Sequence, residues 1–136
     1  MIKLSIGKKI DEPEWEYAET FKDLDKYKDI AQLRVFNLGD LETLEVEPML
    51  KKMKDKMMAD GRIYIETNNL LFISSLVQQG MHEGAVQLLG ESTTHFTPKI
   101  MNRYLTQAGF DGVSVKDQER LTAIAYKPTK GVADGK

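Results

Sequence analysis

The stretch from Lys56 to Asn68 constrains the fold of this chain more than any other part of the sequence. It reads KMMADGRIYIETN: the end of an amphipathic helix, a glycine stop at Gly61, and a short apolar strand that ends in polar residues. In α/β proteins this order delivers polar side chains to the C-terminal edge of a sheet, where such folds bind ligands. The stretch therefore predicts an α/β fold with a ligand site at that edge.

The rest of the chain alternates between strand patterns and helix patterns. Apolar alternation predicts four strands and then an antiparallel pair, at residues 2–6, 15–18, 30–37, 62–67, 113–115 and 121–126. The helix that ends at Gly61 has Pro48 in its first turn. Further helices are predicted over residues 70–79 and from Pro98, after Thr97 as N-cap, whereas residues 80–90 look irregular. Strands that alternate with helices predict a mostly parallel sheet with helices on both faces.

Length and composition narrow the class of protein. A chain of 136 residues with 41% hydrophobic residues predicts one soluble domain, placed at residues 1–128, and a flexible tail at residues 129–136. The net charge of −2 gives no basic excess, so we expect no nucleic-acid partner, and no apolar run is long enough for a membrane span. The absence of cysteine excludes disulfides and is compatible with a cytoplasmic location. With two histidines and no cysteine, we expect no metal site.

Four segments carry a resemblance to a known family. Residues 4–9 (LSIGKK) and 14–19 (EWEYAE) correspond to a first strand with its glycine loop and to a second strand that ends in an acidic residue. Residues 60–68 (DGRIYIETN) are similar to "PGGRLYIEVPD", and residues 96–110 (FTPKIMNRYLTQAGF) to "FTPEELRELLEEAGF". In this order the chain resembles a short, divergent class I S-adenosylmethionine-dependent methyltransferase, over about residues 2–128. The resemblance implies a reduced Rossmann-like three-layer sandwich with a C-terminal antiparallel hairpin, and S-adenosylmethionine as cofactor.

The resemblance places part of a cofactor site after the first two strands. Gly7 corresponds to a family glycine that lets the backbone approach the cofactor. Glu19 corresponds to the acidic residue that accepts hydrogen bonds from the ribose hydroxyls, although it could equally be a solvated loop carboxylate. Lys8 and Lys9 depart from the family pattern, because they stand where the family has a small residue and a second glycine.

The loop after the third strand corresponds to the family loop that meets cofactor and substrate. It consists of Asn37, Leu38, Gly39 and Asp40, which we assign to cofactor binding by resemblance. An alternative is that Asp40 caps the next helix. His95 is the one candidate catalytic residue, as a general base near a methyl acceptor, and a surface or capping histidine is the alternative.

Residues 19–29 are too few for a complete strand–helix unit of the family. The family fits a helix, a strand and a second helix between its second and next central strands, whereas this segment has room for little beyond a short helix. We therefore predict that one strand is absent. Glu66, Asn68 and Asn69 end the strand after the glycine stop, either on the ligand edge or as a simple turn.

Two functions from different classes remain open after these observations. The first is S-adenosylmethionine-dependent methyl transfer to a small molecule or a sugar. The alternative is a non-catalytic methyltransferase-fold binding or scaffold protein that has lost the cofactor, which Lys8, Lys9 and the absent strand favour. A homo-oligomer or a protein partner would then be expected, through exposed methionines of the helix before Gly61.

Overall fold

A computed structural model describes residues 2–129 of the chain. The elements, in chain order, are β1 Ile2–Ile6, β2 Trp15–Ala18, β3 Ile30–Phe36, α1 Thr43–Lys56, β4 Met57–Asn68, α2 Leu70–Gln78, α3 His82–Gly90, α4 Pro98–Gln107, β5 Asp111–Lys116 and β6 Arg120–Tyr126. Two short 3₁₀ helices lie at Phe21–Lys26 and Leu38–Asp40. The predicted tail, apart from Thr129, falls outside the described residues.

The six strands form one mixed sheet in the order β2-β1-β3-β4-β6-β5. Strands β2, β1, β3 and β4 are mutually parallel, and β6 runs antiparallel to both β4 and β5. This confirms the predicted α/β, Rossmann-like fold with a mostly parallel sheet and a C-terminal antiparallel pair. The absent strand is also confirmed, because only the 3₁₀ helix Phe21–Lys26 lies between β2 and β3.

One face of the sheet carries the hydrophobic core. Buried residues of the central strands, such as Leu33 and Ile63, form one cluster with Val46 and Leu50 of α1 and Leu105 of α4. Leu24 of the first 3₁₀ helix joins the same cluster. Helices α1 and α4 and this 3₁₀ helix therefore pack together on one face of the sheet.

The opposite face of the sheet is largely open. The fold is therefore reduced on this side, where no helix covers the strands within residues 2–129. Apart from Ser5 and Asn68, which are buried, the side chains at the register positions of this face are half-buried or exposed, among them Arg62, Tyr64 and Ile124. Tyr17 and Tyr126, at the two sides of this face, are 42% and 41% exposed. The loop of residues 7–14 connects β1 to β2 without a helix. Within residues 2–129, the helices thus lie on the core face or beyond the strand ends.

The boundary between α1 and β4 differs from the sequence prediction. The helix ends at Lys56, not at Gly61, and it begins at Thr43, so Pro48 lies in its second turn. Met57 already pairs with Ile30 of β3, and a register shift follows before Arg62. Helical spacing alone predicted a longer helix because it does not account for the hydrogen bonds that β3 offers at Met57.

Residues 80–90 also differ from the prediction, since α3 occupies His82–Gly90. Ala85 is its only buried residue; the helix packs mainly against α2 and reaches the sheet at its end, where the Leu88 carbonyl accepts from Asn68 Nδ2 at 2.8 Å. So little buried apolar surface leaves no clear helical periodicity in the sequence. No helix among residues 2–129 is both long and apolar enough to cross a bilayer.

Candidate functional site

Three neighbouring parallel strands bring most of the predicted site residues to one edge of the sheet. Ile6 at the end of β1 pairs with Ala18 of β2 and with Val35 of β3. Gly7, Glu19 and the loop that begins at Asn37 follow these strands directly, so they lie at the same C-terminal edge. This is the edge at which open α/β sheets bind ligands.

Gly7 has a conformation and a surrounding that only glycine tolerates. Its φ angle is +86°, in the left-handed region. A Cβ at this position would stand 2.1 Å from the carbonyl oxygen of Phe36 at the end of β3. The Gly7 amide donates to the Ala18 carbonyl at 2.9 Å. Gly7 therefore serves the close approach of β1, β2 and β3 at this edge.

Glu19 is exposed at the tip of β2, which is an edge strand. Among the contacts described for residues 2–129, its carboxylate takes part in no hydrogen bond or ion pair. A free carboxylate in this place can accept hydrogen bonds from two neighbouring hydroxyls of a ligand.

The side chain of Asn37 is the centre of a hydrogen-bond network. Its Nδ2 donates to Asp40 Oδ1 at 3.1 Å, to Ser92 Oγ at 2.9 Å and to the Glu91 carbonyl at 3.4 Å. Its Oδ1 accepts from Thr67 Oγ1 at 2.6 Å. The network joins the ends of β3 and β4 to the segment between α3 and α4. Asn37 thus orders the loop, and its own polar atoms are already used.

Leu38 and Gly39 are buried inside the same loop. The Gly39 carbonyl accepts from the amides of Thr93 and Thr94, both at 2.8 Å, and its amide donates to Thr67 Oγ1 at 3.2 Å. Thr94 Oγ1 in turn donates to the carbonyl of Leu41 at 2.6 Å. The loop of residues 37–40 is therefore held against residues 91–94 on its far side.

Asp40 does not cap α1. The N-cap residue of that helix is Glu42, and the Glu42 amide donates to Glu45 Oε1 at 3.1 Å. Although Asp40 is largely exposed as a residue, burial of its carboxyl group raises its pKa above the usual range. The hydrogen bond from Asn37 acts in the opposite direction but is the smaller cause. The folded protein thus favours the protonated form of this carboxyl group.

The raised pKa of Asp40 predicts that Asp40→Asn changes the stability of the protein in a pH-dependent way. A raised folded-state pKa means that the folded state binds the proton more tightly, so wild-type stability falls as pH rises through that pKa. Asp40→Asn removes this loss. In urea unfolding between about pH 3 and about pH 7, the variant should become more stable relative to wild type as pH rises. Asp11→Asn, in the exposed loop before β2, is the control; a pH-independent difference for Asp40→Asn would contradict the prediction.

His95 lies between Thr94 and Phe96, two buried residues of the segment that leads to α4. The residue is half-buried, and its Nδ1 is buried without a hydrogen-bond partner among residues 2–129. The structure places it one residue beyond the network that holds the Asn37–Asp40 loop. Its role as a general base stays a prediction.

The fold of the chain can be compared with those of solved proteins. No protein-family model matches the sequence, and no curated protein matches it either. An S-adenosylmethionine-dependent methyltransferase from Archaeoglobus fulgidus is 13% identical, with a TM-score of 0.65 over 93% of this chain and 86% of that protein. Human N-acetylserotonin methyltransferase, solved with S-adenosylmethionine, is 18% identical, with a TM-score of 0.61 over 93% of this chain and 40% of that protein. PigF, solved with S-adenosylhomocysteine, is 12% identical, with a TM-score of 0.65 over 93% of this chain and 56% of that protein.

The chain has a class I methyltransferase-like fold. It spans only about half or less of PigF and the human enzyme, and the identities are low, so the likeness concerns the fold alone.

The methyltransferase-like sheet ends in further polar residues, all of which have partners. Asn69 caps α2 by accepting from the Leu71 amide at 3.0 Å, and it donates to Asp117 Oδ1 at 2.6 Å. Arg120 donates to Glu66 Oε2 at 2.6 Å and to Asn68 Oδ1 at 2.9 Å. These bonds connect the end of β4 to the start of β6. Glu66, Asn68 and Asn69 therefore stabilise the strand ends rather than leave donors free for a ligand.

Several residues of the site could not be identified from the sequence. Thr67 of β4 holds the Asn37–Asp40 loop together with Ser92 and Thr94, which belong to one run of three hydroxyl residues at 92–94. Their partners lie about 30 to 55 residues away in the sequence, as for Asn37 and Ser92 at a separation of 55. No local pattern indicates such a contact.

The fit of the edge to S-adenosylmethionine is uneven. Glu19 has the right chemistry and position for the ribose hydroxyls, and Gly7 gives the tight turn that the family uses after β1. In contrast, Asn37 and Gly39 of the Asn37–Asp40 loop already form hydrogen bonds with other parts of the protein. None of five surface cavities on the described residues is lined by Gly7, Glu19 or this loop. Of the residues predicted to hold the cofactor, Glu19 is therefore the one whose polar side chain is exposed and without a described partner at this edge.

Proposed function

We propose that the chain binds S-adenosylmethionine and transfers its methyl group to a small molecule or a sugar. The observation that carries the proposal is the convergence of Gly7, Glu19 and the Asn37–Asp40 loop at one edge of a methyltransferase-like sheet. Neighbours of the same fold were solved with S-adenosylmethionine or S-adenosylhomocysteine, which supports the cofactor by fold alone.

Each residue has a role that follows from its place in the fold. Glu19 accepts hydrogen bonds from the ribose hydroxyls, because its carboxylate is free at the tip of β2. Gly7 keeps the turn after β1 narrow, and Asn37 fixes the loop that forms the opposite wall. When bound, the cofactor supplies an activated methyl group, and the chain mainly has to orient it toward the acceptor. His95 is the proposed base for an acceptor proton.

Lys8 is the residue that departs most from the family pattern. Its ammonium lies 4.9 Å from the centre of the Phe36 ring, at the end of β3. A cation over an aromatic face is a favourable arrangement, so this side chain has a place of its own in the structure.

The proposal is tested by calorimetric titration of the chain with S-adenosylmethionine and with S-adenosylhomocysteine. We expect micromolar binding of wild type and a loss of about tenfold or more in Glu19→Ala, since two hydrogen bonds to a charged group are removed. Glu16→Ala is the matched control: Glu16 is an exposed carboxylate on the same strand, and it pairs with Leu4 rather than standing at the strand tip.

Two results would count against the proposal. If Glu16→Ala and Glu19→Ala weaken binding equally, Glu19 is not a specific contact and the edge is not the site. If folded wild-type protein releases no heat with either ligand, the chain is not a methyltransferase. The non-catalytic alternative would then take its place.

A further inference from the structure

The open face of the sheet is the largest feature that the proposed function leaves unused. It consists of the strand positions opposite the core, in register rows that run across β2, β1, β3, β4, β6 and β5. The central row contains Tyr17, Ser5, Arg34, Tyr64, Ile124 and Ser114. Five aromatic residues lie at register positions of this face: Trp15, Tyr17, Phe36, Tyr64 and Tyr126.

Arg34 and Tyr64 form the centre of this face. The Arg34 guanidinium carbon lies 4.6 Å from the centre of the Tyr64 ring and 5.3 Å from that of Phe36. Its Nε is buried and has no hydrogen-bond partner among residues 2–129. Because this atom is enclosed, a ligand on the face would contact the other atoms of the half-buried Arg34 side chain, which lines a cavity there. Arg34 is thus oriented by two rings and places a positive charge at the centre of this face.

Two shallow cavities lie side by side on the same face and share Tyr64 and Ile124 as a common wall. The first has a volume of about 230 Å³ and is also lined by Trp15, Arg34 and Arg62. The second has a volume of about 140 Å³, with Lys116 at its side. Both are smaller than the ~300–1,000 Å³ of sites that enclose a whole small molecule. They suit successive ring systems of a longer ligand that lies across the sheet.

The charge of this face is opposite to that of the whole chain. Its strand positions hold five cations and two carboxylates: Lys3, Arg34, Arg62, Lys116, Arg120, Asp111 and Glu66. Glu66 is already paired with Arg120. The net charge of −2, which predicted no nucleic-acid partner, therefore comes from other parts of the sequence. Locally, the face favours a polyanion.

These properties distinguish between the classes of partner that could cover the face. A second copy of the chain would bring five cations against five cations, because a two-fold interface uses the same surface twice. An amphipathic helix would need aliphatic contacts, and Ile124 is the only aliphatic side chain at these register positions. Unpaired bases stack on aromatic rings and on arginine planes, and their phosphates pair with lysine and arginine.

We propose that the open face of the sheet binds single-stranded nucleic acid, with bases stacked at Tyr64 and Trp15 and phosphates held by Arg62 and its cationic neighbours. A duplex is excluded as the preferred ligand, because its bases are already stacked on one another and cannot lie on the sheet. This site is separate from the edge at Gly7 and Glu19, so it does not depend on the proposed methyl transfer.

The test is fluorescence anisotropy with labelled homopolymers of about 12 nucleotides, oligo-uridine and oligo-thymidine, and a duplex of equal length, at about 50 mM salt. We expect both single strands to bind more tightly than the duplex. Tyr64→Leu should weaken single-strand binding about tenfold, whereas Tyr64→Phe, which keeps the ring, should stay within about twofold of wild type. Arg62→Gln should weaken binding and reduce its salt dependence. Arg103→Gln, an equal change of charge on the exposed side of α4, should leave binding unchanged.

Four results would overturn this proposal, given variants with wild-type circular dichroism. These are no anisotropy change for wild type, tighter binding of the duplex, no loss in Tyr64→Leu, or an equal loss in Arg103→Gln. A dimer in sedimentation velocity that Tyr64→Leu dissociates would assign the face to a second copy of the chain instead.

Discussion

Phe96→Ala is expected to lower the free energy of unfolding by about 3–5 kcal/mol, the largest effect of any single substitution that the structure suggests. The Phe96 ring is fully buried and packs edge-to-face against Tyr104, with ring centres 5.8 Å apart. The backbone of Phe96 also bridges to Asn69 and accepts from the Leu70 amide at 2.8 Å. Truncation leaves a cavity where the segment before α4 is fixed to the sheet, so the loss includes both transfer and cavity terms.

Urea unfolding followed by far-ultraviolet circular dichroism measures this effect. Phe96→Leu should cost less, because it keeps most of the apolar volume. Leu44→Ala is the control, since that side chain is 91% exposed at the start of α1 and should change stability by less than about 0.5 kcal/mol. Equal losses in Phe96→Ala and Leu44→Ala would show that Phe96 is not a core residue.

Gly39→Ala is expected to lower the free energy of unfolding by about 3 kcal/mol. A Cβ on Gly39 would stand 2.5 Å from the carbonyl oxygen of Thr94 and 2.9 Å from both Cβ and Oγ of Ser92. The carbonyl is backbone and cannot rotate away. Relief therefore requires the Asn37–Asp40 loop to separate from residues 91–94, which breaks the hydrogen bonds of Gly39 to Thr93 and Thr94.

Gly84→Ala is the matched control for Gly39→Ala. Gly84 lies within α3, and a Cβ there would meet no atom within 4 Å. Alanine in a helix interior loses less backbone entropy on folding, so this variant should be more stable than wild type by about 0.5–1 kcal/mol. The two substitutions are thus expected to change the free energy of unfolding in opposite directions. A stable Gly39→Ala variant would mean that the loop does not pack as closely as the structure shows.

The strands with the clearest local pattern could be predicted from the sequence. Ile2–Ile6 and Trp15–Ala18 have the predicted bounds, because each is a short apolar alternation with a polar or glycine residue after it. The start of α4 was also predicted correctly: the Thr97 side chain accepts from the Ile100 amide at 3.2 Å, and Pro98 is the first helical residue. Capping depends on neighbours in sequence, so it can be inferred from sequence alone.

In the candidate site, too, some features could be predicted from the sequence and others could not. The positions of Gly7, Glu19 and the Asn37–Asp40 loop directly after their strands were predicted through the family resemblance. The hydrogen bonds that occupy Asn37 could not be predicted, because their partners come from β4 and from the segment before α4. Those partners decide which polar atoms remain free for a ligand.

The open face was indicated in the sequence but was not recognised. Gln32, Arg34 and Phe36 alternate with buried residues along β3, and Arg62 and Tyr64 do so along β4. Parallel strands that are covered on both faces are typically apolar throughout, so this alternation is typical of a sheet with one face in water. The alternation of strands with helices along the chain favoured the opposite expectation, a sheet with helices on both faces.

The sequence by itself determined the order of the strands along the chain and the parallel sheet with its antiparallel end, because these follow from local periodicity. The absence of one strand followed from the short segment at residues 19–29 together with the family resemblance. Only the tertiary structure decided where α1 gives way to β4, which polar atoms at the sheet edge are already paired, and which face of the sheet lies open. Each of these depends on free energies of contact between residues far apart in the chain, and no local pattern contains them.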